Sequence, residues 1–207
     1  MNINTPYVPT ATQLRDAERF TNFDTELNIS FDEVASKQLG RSYYKVTKSF
    51  RYYLSEEQKD VFAYVPAGFL TDGASVPRPF WWMIPPWGTY GQAAVLHDIL
   101  CETGTMFQSE IPYEVSRKEA DFIFRDAMKA ANVGIVERTL MFIAVRAWGM
   151  FGWKTNQKRL AKKRAIEVDY MKAYGTYREP TAILRQVSAA MSATKRTLGD
   201  IMSVNAL

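Results

Sequence analysis

The strongest constraint on this chain is a polar turn set inside apolar sequence. Phe69 to Arg78 reads FLTDGASVPR, and about twenty residues further on Ala94 to Leu100 reads AVLHDIL and carries the only histidine. A threonine, an aspartate, a glycine and a serine between Phe69-Leu70 and Val76-Pro77 are costly to bury unless hydrogen-bonded, so the fold must bring partners to them. His97 and Asp98, on a predicted helix, are the nearest candidates.

Around this turn the pattern changes character several times. Residues 1 to 40 are polar and mixed, with Pro6 and Pro9 near the start, and read as an extended arm. RSYYKVTKSFRYYL at Arg41 to Leu54 alternates aromatic or β-branched residues with polar ones, and VFAYVPAGFL at Val61 to Leu70 follows the charged turn SEEQKD. This predicts a β-hairpin with Pro66 at an edge or a strand end. The crossing PRPFWWMIPPWGTYG then forbids regular structure around its prolines.

Three helices are expected next. Gln92 to Glu102 places Ala93, Leu96 and Leu100 on one face and ends before Gly104. Ser116 to Ala130 opens with a capping box, Ser116 to Glu119, and turns Ala120, Ile123, Phe124 and Ala127 inward. Ile135 to Met150 repeats the period with Leu140, Ile143, Ala144 and Ala147. A small antiparallel β unit followed by a three-helix cluster makes an α+β domain over 41–153, with the N-terminal arm before it and a helical C-terminal extension over 154–207. That extension holds KTNQKRLAKKRAIEVDYMKAY and a second candidate helix from Thr181 to Met202, neither apolar enough to fold alone.

At 207 residues and 47% hydrophobic content the chain can bury one good core, which excludes the disordered classes. A single cysteine excludes a disulfide framework and a Cys-rich zinc module. No run approaches the roughly 18–20 apolar residues of a membrane span, and MNINTPYVPTATQLRDAERF has neither a basic start nor an apolar stretch, so a soluble chain made without a signal peptide is expected. The net charge of +4 is unevenly placed: eleven Lys or Arg face four Asp or Glu from Lys154 onward, against fifteen and eighteen before it.

FLTDGASVPRPFWW, AAVLHDILC, SRKEADFIFRDAM and VRAWGMFGW together resemble a bacteriophage and prophage family, the domain of unknown function numbered thirteen fifty-three, over roughly Tyr64 to Trp153. Cys101 stands where that family usually has an aromatic. The resemblance implies a phage origin and a compact domain with Asp72, Ser75, His97, Asp98 and Asp121 at its signature positions. It implies no activity.

Those five residues admit three chemistries. His97 with Asp72, Asp98 or Asp121 around a divalent ion would activate water, but one histidine makes a poor zinc set, and adjacent helical residues point about 100° apart. Ser75 with His97 as base and an aspartate as orienter would be a nucleophilic site, yet TDGASVP is not a GxSxG elbow, and a Cys101–His97 dyad is weaker still. The third reading is favoured: Asp72 accepts the N–H groups of Gly73 to Ser75 in an Asx turn, Ser75 caps the next segment, and His97 ties the turn to Asp121. No metal and no cofactor are expected.

Trp81, Trp82 and Trp87 read as a ligand platform or, more simply, as a core lid or interface anchor. Lys158, Arg159, Lys162, Lys163 and Arg164 offer a DNA-phosphate contact or a solvated helix face. The expected function is a bacteriophage virion or assembly component of tail, neck or baseplate type. It would be made in the host cytoplasm and located in the virion, with its arms on other virion proteins and on further copies of itself. The alternatives are a hydrolase of the host envelope or of a nucleotide using Asp72, Ser75 and His97, and a nucleic-acid-associated accessory protein.

Overall fold

A computed structural model of the chain describes residues 23–54, 60–73, 87–108, 111–150 and 157–177. Ser75, Trp81 and Trp82, most of the proline-rich crossing, residues 1–22 and the second tail helix lie outside them.

Two antiparallel sheets and five helices form an α+β fold among the described residues. The first sheet has the order β1 (Ile29–Phe31), β2 (Tyr44–Val46), β5 (Leu70–Thr71), with Ile29 opposite Val46 and Lys45 opposite Leu70. The second has the order β3 (Phe50–Tyr53), β4 (Val61–Val65), β6 (Thr105–Gln108), β7 (Ile111–Glu114), with Phe50 opposite Val65 and Phe62 opposite Phe107. The β3–β4 pair is the hairpin that the alternation predicts.

The strand expected over Arg41–Leu54 is in fact broken into β2 and β3, which belong to different sheets. Side-chain bonds pin the break: the Ser49 hydroxyl accepts the Ala67 N–H at 2.9 Å and meets the Tyr64 hydroxyl at 3.1 Å. The β6–β7 hairpin is an addition to the sequence reading. Its strands have four residues each, and Pro112 is tolerated because β7 is an edge.

The arm expected over 1–40 enters the fold from Phe23 onward. Phe23, Leu27 and Ile29 pack on the main core, and α1 (Glu33–Leu39) buries Ala35 and Leu39. Asp32 starts that helix by accepting the Ala35 N–H at 2.8 Å.

Helix α2 (Gly91–Thr103) buries Ala93, Leu96 and Leu100 as expected. It stops at Gly104, whose φ of 58° is the left-handed conformation that lets its N–H bond the Leu100 carbonyl. Helix α3 (Arg117–Ala130) starts on the predicted capping box, both halves of which form, and buries Ala120, Phe124 and Ala127. Trp87 lies partly buried against the core, edge-on to Tyr44 with ring centroids 4.8 Å apart, which is the lid role.

Helix α4 (Ile135–Met150) has the predicted span and a different phase. Met141 is buried and Val145 packs on the core, whereas Ile143, placed on the inner face by periodicity, is 56% exposed. A helix reading IVERTLMFIAV carries more than one apolar stripe, and its packing partner chooses between them.

Helix α5 (Gln157–Ala173) docks on the domain despite its charge. Met171 enters the main core, while Ile166 and Tyr170 pack on the smaller cluster of Ala35, Leu39, Tyr43 and Leu70. Gly68 makes this approach possible: its φ is 96°, and a Cβ there would sit 2.8 Å from the Met171 nitrogen. Among the described residues no helix is long and apolar enough to cross a membrane.

Candidate functional site

Three helices converge on one carboxylate. Asp121 of α3 is fully buried, and its Oδ1 accepts from His97 Nε2 of α2 at 2.8 Å and from Arg117 Nε, one turn back on α3, at 3.2 Å. Its Oδ2 accepts from Arg146 Nη1 of α4 at 3.1 Å. Burial alone would push this carboxyl up, but the bonds from His97 and Arg146 and the Arg117 charge hold it below the ordinary range. Burial lowers the His97 pKa beyond what Asp121 restores, so the ring is neutral and Nε2–H is the donor. The ring also packs on Phe124 with centroids 4.8 Å apart.

Cys101, one turn beyond His97 on α2, puts Sγ 3.4 Å from the same Nε2. A relay needs one ring nitrogen for the nucleophile and the other for the acid. Here a single nitrogen serves both, and its hydrogen is committed to Asp121. Cys101 is exposed at the surface of α2, yet the protein atoms packed around its sulfur still push the thiol up to about 12.

The neighbouring residue on α2 faces elsewhere. Asp98 Oδ2 accepts the Thr71 hydroxyl of β5 at 2.7 Å, and that hydroxyl in turn accepts the Gly73 N–H at 3.0 Å. Thr71 thus holds the start of the turn, and the Asp72 carboxylate reaches the Arg41 guanidinium; residues 74–78, on which the expected Asx role of Asp72 falls, lie outside the described residues. Asp98 ties the start of the turn to α2, and His97 meets Asp121 as expected. The divergence follows from the roughly 100° between successive helical residues. Burial pushes the Asp98 carboxyl up to about 7, opposed by the Thr71 bond and the Lys163 charge and assisted by Glu102.

Beneath this second cluster lies a buried lysine. Lys163 of α5 pairs with Glu102 of α2 and, at 3.1 Å, with Glu167 one turn on, while Glu167 accepts the Leu70 N–H at 2.8 Å. Burial lowers the Lys163 pKa, but Glu102 and Glu167 more than reverse it, and the net shift is upward. Lys163 therefore faces inward from the basic run. Arg164 too is engaged, bonding the Glu102 carbonyl at 3.2 Å.

Of the five sequence candidates, His97 and Asp121 meet, Asp98 and Asp72 flank the same turn, and Ser75 lies outside the described residues. Thr71, Arg41, Glu102, Arg117, Arg146 and Glu167 were missed. Spacing of four could have found Arg117 with Asp121, Asp98 with Glu102, and Lys163 with Glu167. Nothing in the sequence points to Arg146. Among the described residues no group of three or more His, Cys, Asp and Glu is placed to hold a metal ion.

A family model described as "Protein of unknown function (DUF1353)" matches residues 44–145, which takes in β2 and β3 as well as the turn and the helices. The uncharacterized protein y4jT of Sinorhizobium fredii is 36% identical over 87 residues, 41% of this chain. The match spans 23% of that relative's own length. No solved structure matches significantly.

Proposed function

Residues 44–145 belong to this family of proteins of unknown function; since the family brings no activity with it, we propose from the residues that the protein is a bacteriophage virion or assembly component whose polar cluster braces the fold. The phage setting rests on the resemblance of the turn and helix motifs. The non-catalytic reading rests on Asp121, whose two oxygens take donors from three helices and hold the Nε2–H of His97 in the brace. A network satisfied in this way fixes how α2, α3 and α4 meet, which suits a part that must hold one shape among neighbours. Mass spectrometry of purified particles tests the proposal: the chain should be present at a fixed stoichiometry. Its absence from virions that assemble normally would remove the reading.

The enzyme alternative moves from His97 to Asp98, because a carboxyl raised to about 7 beside a hydroxyl suits proton transfer near neutral pH. A hydrolytic activity of the purified chain that disappears in Asp98→Asn, with folding intact, would put this reading first.

A further inference from the structure

The outer faces of α3 and α4 leave an open groove of about 460 Å³ between them. Phe142 lines it; the Phe142 ring lies 5.3 Å from that of Phe122 beside the groove, and the Arg125 guanidinium covers both at 5.1 and 5.4 Å. Ile135 lines the groove and is 70% exposed, and Val136 and Ile143, also exposed, extend the apolar surface of α4 beside it. Exposed β-branched residues grouped on one helix mark an interaction surface rather than scattered apolar residues.

The rim is basic. Arg125 is paired with Asp126 at 3.2 Å, whereas Lys129 and Arg138, which also line the groove, have no ion pair among the described residues. We propose that this groove docks an amphipathic helix of a partner protein, with apolar side chains against Ile135 and Phe142 and carboxylates toward Lys129 and Arg138. A channel between two packed helices accepts the ridge of a third, and uncompensated cations select an acidic one. A second copy fits poorly, since pairing by a two-fold axis would bring the same cations together. The inference rests on the reading of the chain as an assembly component, to which it adds a surface and a partner chemistry.

The test uses the full chain and two synthetic amphipathic helices with the same leucine stripe, one flanked by glutamates and the other by lysines, with binding followed by fluorescence anisotropy. The glutamate peptide should bind at least about tenfold more tightly. Ile135→Ser with Ile143→Ser should weaken it about tenfold, and Lys129→Glu with Arg138→Glu should reverse the preference. These positions are exposed or on the rim, so circular dichroism should be unchanged. Equal binding of the two peptides, binding to phosphatidylserine vesicles in place of the peptide, or a dimer that Ile143→Ser dissolves would each overturn the inference. Loss of peptide discrimination in a chain still found in particles sinks the groove alone. Absence from particles sinks the wider reading.

Discussion

Asp121 and Asp98 are two acids of one polar layer, 23 positions apart in sequence, with opposite electrostatic outcomes. Asp121 is the more buried and is held charged, because two guanidiniums and an imidazole N–H aim at its two oxygens. Asp98 has the Thr71 hydroxyl as its hydrogen-bond donor, and Lys163, whose charge favours the ionised form of Asp98, is paired with Glu102 and Glu167. The Asp98 carboxyl rises to about 7. Desolvation pushes both carboxyls up, and only at Asp121 do the donors that the fold aims at the carboxylate overcome it.

Removing the better-satisfied acid should have the largest effect. Asp121→Ala leaves two arginines facing a buried gap and should lower stability by about 3–5 kcal/mol in urea unfolding. A loss below about 1 kcal/mol would mean that the three-helix brace is decorative. Next comes the cation beneath Asp98. Lys163→Met strands Glu102 and Glu167 and should lose about 2–3 kcal/mol, with hydrogen exchange rising first in α5. Unchanged α5 protection would show that Met171 and Tyr170, not the ion pairs, dock this helix.

The smallest effect, and the sharpest contrast, belongs to Asp98→Asn. The amide still accepts from Thr71 and removes a poorly supported charge, so stability at neutral pH should change by less than about 1 kcal/mol. The pH dependence separates the two acids. Folded Asp98 keeps its proton to about pH 7, whereas the unfolded chain releases it near 3.8, so raising the pH across that window charges a buried group and takes stability away. Wild type should therefore gain on Asp98→Asn as the pH falls from 7 toward 4. Asp121 runs the other way: its folded pKa lies below 3.8, and its contribution, present above that value, is lost as acid protonates it in the folded state. Parallel pH profiles for wild type and Asp98→Asn would refute the contrast.

Much of α2 and α3 was legible because it is local. A capping box spans four residues, an i,i+3/i+4 apolar face lies within one helix, and Gly104 ends its helix on its own backbone. The α4 face was misread for the converse reason. With Ile, Val, Leu, Met and Phe crowded along it, periodicity allows more than one inward stripe, and the packing that settles the choice buries Met141 and Val145 and leaves Ile143 outside. The start of the turn shows the same dependence: Thr71 and Asp72 are both able to organise it, and the hydroxyl that holds the Gly73 N–H is the one that Asp98 meets from α2.

The sequence by itself determined the α+β class, the spans of α2, α3 and α4 to within a residue or so, the membership of His97 and Asp121 in a polar layer, and the concentration of positive charge after Trp153. These follow from composition and from forces that act within a few residues. Tertiary structure alone decided which aspartate is charged, that the arm folds in from Phe23, and that a helix as polar as α5 can dock by burying Lys163 between two glutamates. Each of these depends on donors, acceptors and apolar surface brought from distant segments. A charge is stabilised or neutralised by what surrounds it in space, and sequence order does not record that.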